Sequence, residues 1–483
     1  MKFMTRKIYL FLIIFLLKWT PGFGQEVWPL KKCIDYALAN NLNLRQNSLS
    51  IKQAEVNLAS SKESRYPSLN YNLGGGFRFG RTIDFASNTF VNESTNFNFH
   101  DLSTNVPIYQ GGRISNSIRQ SVTNVQAAEY DVKQIGDNLA LQVSVDYLEI
   151  LLNIESLDIA KRRLENSKKQ LEQTDKLINA GSLPRNDRLN LVAQQAREEE
   201  SIIIQENAIN IAYLNLKNDL NLNPDDEIQL QSPDVESMLK VAMVQSQFDN
   251  LFNTAINQNN GLKAAELRVE AAMTNEKISK AGGLPSLSLG GNVSTNYSSS
   301  IKEFSQADNS NAVIVPLQQS VLIDNNPSQL TFFQLVGTSY PNKPIGNQLV
   351  DNLGQNISVN LAVPIYNGRA AHYNHQQARI GTEQAKFSQE ISRQSLRTTV
   401  YRALNDFNAA KGRLAAAEKE YEAAKGALDN IEKRFNAGSS NSLDLITSKN
   451  NFYTSEDNLL TAKYRYIFLQ KTLAFYAGQP FEL

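Results

Sequence analysis

The chain is short of the residues from which most enzymes build their sites. Across 483 residues it holds one cysteine and three histidines. A lone Cys33 excludes an internal disulfide framework. Its setting, LKKCIDYAL, reads as an amphipathic helix with the thiol as a small buried hydrophobe. There is no phosphate-cradling G-x-x-x-x-G-K-[ST], no H-E-x-x-H and no metal-spaced set of cysteines. His372 and His375 lie three apart, but no Cys or Met clusters with them, and they read as surface imidazoles. The expectation is no catalysis, no cofactor and no metal site.

Neither sign of charge is in excess, since Lys+Arg and Asp+Glu both number 48. Long apolar runs are also missing. The one run, Ile8 to Leu17, follows Lys2, Arg6 and Lys7, is ended by Lys18 and leads to Gly22-Phe23-Gly24. That order predicts a signal peptide over residues 1–24 with Gln25 as the mature start. The run is well below the roughly 20 residues of a spanning helix. Removing those four basic residues leaves 44 against 48, a net charge of −4, which gives no footprint for nucleic acid. With no other apolar run of that kind, the exported chain either stays in solution or crosses a membrane as β-strands.

Proline is absent where helices would need it absent. From Arg113 to Ile178 there is none, and from Arg369 to Phe435 there is none. At 1.5 Å per residue each stretch makes a helix of about 100 Å. Val143, Ile150, Leu157, Leu164, Leu171 and Ile178 fall seven apart. Adding 257 gives Val400, Phe407, Leu414, Tyr421, Leu428 and Phe435. A sustained heptad specifies a left-handed supercoil. Beside it run small residues, Ala403, Ala410, Ala417 and Ala424, with Asn153, Ala160 and Ser167 in the first stretch. These let neighbouring helices approach closely, as a ring of helices around a hollow requires.

The same offset links short phrases. VPIYQGGR at Val106 to Arg113 returns as VPIYNGR at Val363 to Arg369, and INAGS at Ile178 returns as FNAGS at Phe435. Earlier in each copy the offset is 218, pairing Pro67 with Pro285, Ala37 with Ala255, Asn41 with Asn259 and Leu44 with Leu262. The chain is therefore a tandem duplication, with 257 − 218 = 39 extra residues in the second copy. The first repeat covers 25–243, with strands at about 67–79 and 96–109 and helices at about 113–180 and 186–222. The second covers 244–483, with strands at about 285–297 and 355–366 and helices at about 369–437 and 442–477. The extra residues enlarge a loop over 298–352, in which Val313 to Val321 and Leu330 to Val336 are apolar enough to order.

Each repeat opens with a helical segment, Leu30 to Lys62 or Val244 to Ala281, then turns into alternating strands. Leu69, Tyr71, Leu73, Phe77 and Phe79 alternate with Asn70, Asn72 and Arg78, a strand with one apolar and one wet face. Asn292, Ser358 and Asn360 extend the wet face in the second copy. In the first copy Phe97 and Phe99 are odd-numbered while Leu102, Val106 and Ile108 are even, which predicts a β-bulge or the edge of the buried band near Asp101. Four such strands cannot close a barrel, because small barrels need about eight. Two chains give eight strands and three give twelve, and the pattern alone leaves both open.

The paired PSL segments at Pro67 to Leu69 and Pro285 to Leu287, the paired VPIY(Q/N)G segments and the paired NAGS tips resemble the TolC family of outer-membrane efflux factors, along nearly all of the chain past residue 24. The resemblance implies a mixed α and β membrane protein built from two tandem repeats of helix, strand, strand, long helix and helix. It implies a homotrimer whose 12-stranded β-barrel sits in outer-membrane lipid of a Gram-negative cell and continues as a periplasmic α-helical coiled-coil barrel. It also implies a passive conduit of a tripartite efflux or secretion system, fed by a periplasmic adaptor and an inner-membrane RND or ABC transporter. Pro107, Tyr109, Gly111 and Gly112, with Pro364, Tyr366 and Gly368, then mark the barrel-to-helix junction. Ala180, Gly181, Ser182 and Leu183, with Ala437, Gly438, Ser439 and Ser440, match the tips where adaptors dock, positions that also serve as helix caps. Asp444 and Thr447 match positions of a pore constriction where an aspartate repeated around an axis favours cations, and Thr447 departs from the double-aspartate pattern, which implies a weaker cation gate. Asp444 also reads as a first-turn acid behind Ser442 as N-cap. Asp187 is its counterpart, with Arg185 or Arg188 able to pair with a carboxylate and hold the tip shut. The rival reading is an exported coiled-coil scaffold without a pore, which accounts for the heptads but not for the paired amphipathic strands.

Overall fold

The computed structural model describes residues 27–84, 89–181, 184–233, 235–239, 248–303, 313–323, 326–336 and 340–479; the signal peptide expected over 1–24 lies outside them. In chain order the elements are β1 (Val27–Trp28), α1 (Leu30–Asn40), α2 (Leu42–Glu63), β2 (Ser68–Asp84), β3 (Thr89–Gln110), α3 (Arg113–Asn179), α4 (Arg185–Leu220), β4 (Gln229–Leu230) and α5 (Val235–Leu239). There follow α6 (Phe248–Gln258), α7 (Asn260–Ala281), β5 (Ser286–Ser298), β6 (Val313–Ile323), β7 (Asn326–Val336), α8 (Ile345–Asp351), β8 (Gly354–Ala362), α9 (Ala370–Asn436) and α10 (Ser442–Tyr476). The long helices α3 and α9 have 67 residues each and start 370 − 113 = 257 apart. Strands β2 and β5 start 286 − 68 = 218 apart.

The chain divides into two compact units. The first comprises the described residues of Met1–Glu55, Thr123–Glu270 and Glu383–Leu483. It is helical, apart from the short parallel pair β1–β4, and its core is built twice. One cluster gathers Cys33, Ala37, Val143, Ile150, Ala212 and Leu216. The other gathers Leu251, Ala255, Val400, Phe407, Leu469 and Leu473, which are the same positions displaced by 218 or 257. Cys33 thus stands where the second copy has Leu251. Burial pushes its thiol up to about 12, against the lowering effect of Lys32, so it is an inert hydrophobe. Along the coils the small-residue stripe is the tightest seam: Ala160, Ser167 and Thr174 on α3, with Ala410 and Ala417 on α9, are buried.

The opening helical segments are not continuous. Asn41 breaks the first by accepting from Leu44 N at 3.1 Å and donating to Asp219 O at 2.9 Å. Asn259 repeats the cap on Leu262 N at 2.8 Å. An asparagine that caps the next helix interrupts the preceding one whatever the surrounding propensity.

The second unit, Val56–Val122 and Ala271–Thr382, holds an antiparallel four-stranded sheet in the order β2-β3-β5-β8. Strands β2 and β3 are longer than the alternation predicts, reaching Asp84 and starting at Thr89. Strand β8 ends at Ala362, not near Tyr366, because its partner β5 begins at Ser286 just after Pro285 and offers no further ladder. Pro364 and Tyr366 therefore lie beyond the strand, and Tyr366 is 82 % exposed. The enlarged loop contains the antiparallel hairpin β6–β7 and the helix α8.

The bulge expected near Asp101 is absent. Asp101 pairs in regular register with Asn72 and Ser294, and the register shift falls at Pro107/Tyr109 against β5. Proline has no ladder donor, so the irregularity sits at the proline. The change of parity has another cause: Phe97 and Phe99 face the polar side, paired with Gly76 and Gly74.

Candidate functional site

Three places were marked by the sequence: the sheet faces, the junction turns and the helical tips. On the sheet, register puts Leu69, Tyr71, Leu73, Leu102, Val293, Ile357, Val359 and Leu361 on one face. All of them are exposed. The other face carries Asn70, Asn72, Arg78, Asp101, Asn292, Ser358 and Asn360. There Asp101 accepts from Asn72 Nδ2 at 3.5 Å and from Asn292 Nδ2, a polar rung across three strands. Where β8 has ended, α8 takes over the edge of β5. Gln348 accepts from Ser298 N and donates to Ser298 O, both at 3.0 Å, so a buried side-chain amide stands in for a strand.

At the junction Gly111 and Gly112 have φ of +60° and +80°. A Cβ on Gly111 would meet Leu284 Cβ at 2.8 Å, so the turn is pressed against the start of the second copy's sheet segment. The matching turn uses Gly368 at +65° and Arg369 at +62°, a left-handed non-glycine residue.

At the tips Gly181 and Gly438 have φ of +74° and +72°. Gly181 N donates to Ile178 O and Gly438 N to Phe435 O, both at 2.9 Å, and Ser439 N donates to Arg434 O at 2.8 Å. These are helix C-caps in which glycine avoids the left-handed penalty. Ala180 and Ala437 close the same turns, while Ser182 and Leu183 lie outside the described residues.

The N-cap of α10 is Asn441, not Ser442: Asn441 Oδ1 accepts from Asp444 N at 2.8 Å. Ser442, released from capping and buried, donates to Asp187 Oδ1 at 2.5 Å instead. The structure thus brings Asp187 to the second copy's tip. Arg188 Nε, by contrast, donates to Asp175 within its own hairpin at 3.0 Å, and Arg185 is exposed. Asp444 is exposed and accepts from Ser440 Oγ at 3.1 Å, with Thr447 also exposed.

Two charged features had no signal in the repeat pattern. Arg163 on α3, 14 % exposed at its side chain, donates to Glu456 at 2.9 Å, to Asp457 at 2.8 Å and to Tyr453 O at 2.8 Å. Its guanidinium also lies 4.6 Å from the Tyr453 ring. Burial works against that charge, but the bonds to Asp457 and Glu456 outweigh it and raise the pKa. Asp146, buried on α3, is pushed up to about 7 by burial and by the Asp219 carboxyl, against the Gln142 amide 2.9 Å away. Both features are private to the first copy, since 163 + 257, 146 + 257 and 219 + 257 give Glu420, Ala403 and Tyr476. Only a residue-by-residue comparison of the copies could have found them.

The family model for the outer membrane efflux protein matches residues 33–221 and 350–479. Outer membrane protein TolC of Vibrio cholerae serotype O1 is 25 % identical over 447 residues, covering 92 % of this chain and 90 % of that protein. Among solved structures, CusC superposes with a TM-score of 0.75 at 18 % identity, covering 94 % of this chain and 92 % of that one. VceC of Vibrio cholerae does so at 0.70 and 14 %, covering 94 % and 100 %.

Proposed function

The chain belongs to the outer membrane efflux protein family, and from that premise we propose that it forms the outer-membrane duct of a tripartite export system, a passive conduit for small molecules or polypeptide. The observation that carries this reading is the sheet. It has four strands, a face on which Leu69, Tyr71, Leu73, Ile357, Val359 and Leu361 are exposed, and edges in β2 and β8 that no strand pairs among the described residues. An open sheet with an exposed apolar face has no stable existence in water or in lipid until its edges pair. Three copies give 3 × 4 = 12 strands, with the apolar face to lipid and the Asn72–Asp101–Asn292 face to the bore. Strand β8 has nine residues. At about 3.3 Å per residue and a tilt of about 40° it rises about 23 Å, close to the apolar band of an outer membrane.

The long helices then form the periplasmic extension, with the VPIY turns as the junction and the NAGS tips as the adaptor-docking surface. Asp444, Thr447 and Asp187 belong to the constriction, and an RND or ABC pump of the inner membrane supplies the cargo. The test is conductance of purified, detergent-extracted protein in a planar lipid bilayer, with and without divalent cations. Small steps blocked by cations are expected from a duct with an acidic tip. A protein that extracts as a monomer and carries no current would refute the duct and leave the scaffold.

A further inference from the structure

Within the polar sheet face, one patch is not polar. The ring of Phe99 lies over Gly74, where a Cβ would stand 2.5 Å from its Cε1 and Cζ. The ring of Phe97 lies over Gly76, where a Cβ would be 3.6 Å from its Cε1. Glycines opposite the two rings leave the room that the rings occupy against the sheet. Phe99 remains 43 % exposed. Phe97 pairs with Ser298, the last residue of β5, and Phe99 with Asn296. The aromatic patch is thus level with the far end of β5, two and four residues past Ser294, where the pairing of β5 with β8 stops.

The charges around the two rings differ. Arg78 has its guanidinium 5.5 Å from the Phe97 ring centroid, so this patch already holds one cation of its own. Asp101 shares the Phe99 face two residues along the strand, roughly 7 Å away. Its described hydrogen-bond partners are the neutral amides of Asn72 and Asn292, and no ion pair among the described residues includes it. A partly exposed aromatic ring beside a carboxylate outside any ion pair is complementary to a planar cation, which gains from the ring quadrupole and from the negative charge together.

We propose that Phe99, with Asp101 beside it, is a contact site for planar aromatic cations on the polar face of the sheet. The placement of that face in the bore rests on the duct reading above; the contact itself does not. In the duct it makes three such sites, one per copy, and biases passage toward cargo of this class. The glycines explain why rings can lie there, whereas the partly exposed ring and the carboxylate outside any ion pair give them something to bind.

The test titrates full-length, detergent-purified protein with ethidium and follows its fluorescence. Wild type is expected to bind saturably, and Phe99→Leu to weaken binding roughly fivefold, because leucine still covers Gly74 but has no π-face. Asp101→Asn is expected to weaken it by a similar factor while keeping an acceptor for one of the two amides. Leu102→Ala, on the opposite face, is the control and leaves the affinity unchanged. No saturable binding by wild type, or equal affinity for wild type and Phe99→Leu, overturns the proposal. Binding that depends on Phe99 in a protein that carries no bilayer current keeps the contact and refutes the duct.

Discussion

Ser442 donates its hydroxyl to Asp187 at 2.5 Å, joining the first turn of α10 to the first turn of α4. The two residues come from different copies of the repeat, so this bond fastens one helical hairpin to the other at their tips. It is buried at Ser442, and the acceptor is a carboxylate oxygen, which makes it one of the stronger kinds of hydrogen bond. Removing the donor leaves Asp187 short of a partner and costs about 1–3 kcal/mol locally. Ser442→Ala is expected to raise single-channel conductance and to speed protease cleavage near Gly181 and Gly438. Unchanged conductance and cleavage would show that the tips are held by other contacts.

Arg163 fastens the same two hairpins farther along. Truncation to alanine leaves Glu456 and Asp457 facing a hole without their cation. A buried pair broken on one side costs about 3–5 kcal/mol, and the half-exposed Asp457 lowers that to about 2–4. Arg163→Ala is therefore expected to lower the urea midpoint clearly. Adding Glu456→Gln should restore part of the loss, since one of the two stranded charges is gone. Restoration of nothing by the second change would mean that the guanidinium acts mainly by packing on Tyr453.

Asp146 makes stability depend on pH in an unusual direction. Burial first, and the neighbouring carboxyls after it, raise its carboxyl from the ordinary 3.8 to about 7 in the folded protein, so between those values the folded state holds a proton that the unfolded state has lost. Stability from this site is present at acid pH and declines as pH rises through about 4 to 7. Asp219 and Glu149 supply the negative charges that hold the value up, besides burial. Asp146→Asn removes the titration but keeps an amide able to bond Gln142. Its melting temperature relative to wild type should rise between pH 5 and pH 8. A constant difference over that range would show that Asp146 does not carry the pH dependence.

Much of this was legible because duplication writes the fold twice. The 257 offset located α3 and α9, and the heptads located their seams. What escaped had local causes that period alone does not carry. Asn41 and Asn259 repeat at the 218 offset, yet reading them as caps needed the amide-to-backbone bonds that end one helix and start the next. The odd parity of Phe97 and Phe99 implies a bulge only if aromatic rings follow the apolar face. The glycines at 74 and 76 were the signal that the rings lie on the other side. Ser442 looked like an N-cap by residue type, but Asn441 has the extended backbone and took the role.

The two junction turns offer a paired experiment, since they share a backbone but not a neighbourhood. Gly111 and Gly368 occupy equivalent positions with φ of +60° and +65°. Alanine at either site costs about 1–2 kcal/mol from the left-handed backbone alone. At Gly368 nothing lies within 4 Å of the added Cβ, so the cost ends there. At Gly111 the Cβ would also stand 2.8 Å from Leu284 Cβ and 3.1 Å from Ala281 O, and the backbone oxygen cannot rotate away. Overpacking of that kind adds about 1–3 kcal/mol. Gly111→Ala should therefore lower the melting temperature more than Gly368→Ala, with the larger loss of folded protein on extraction. Equal effects would show that the turn moves freely away from Leu284 and that the close approach has no energetic weight.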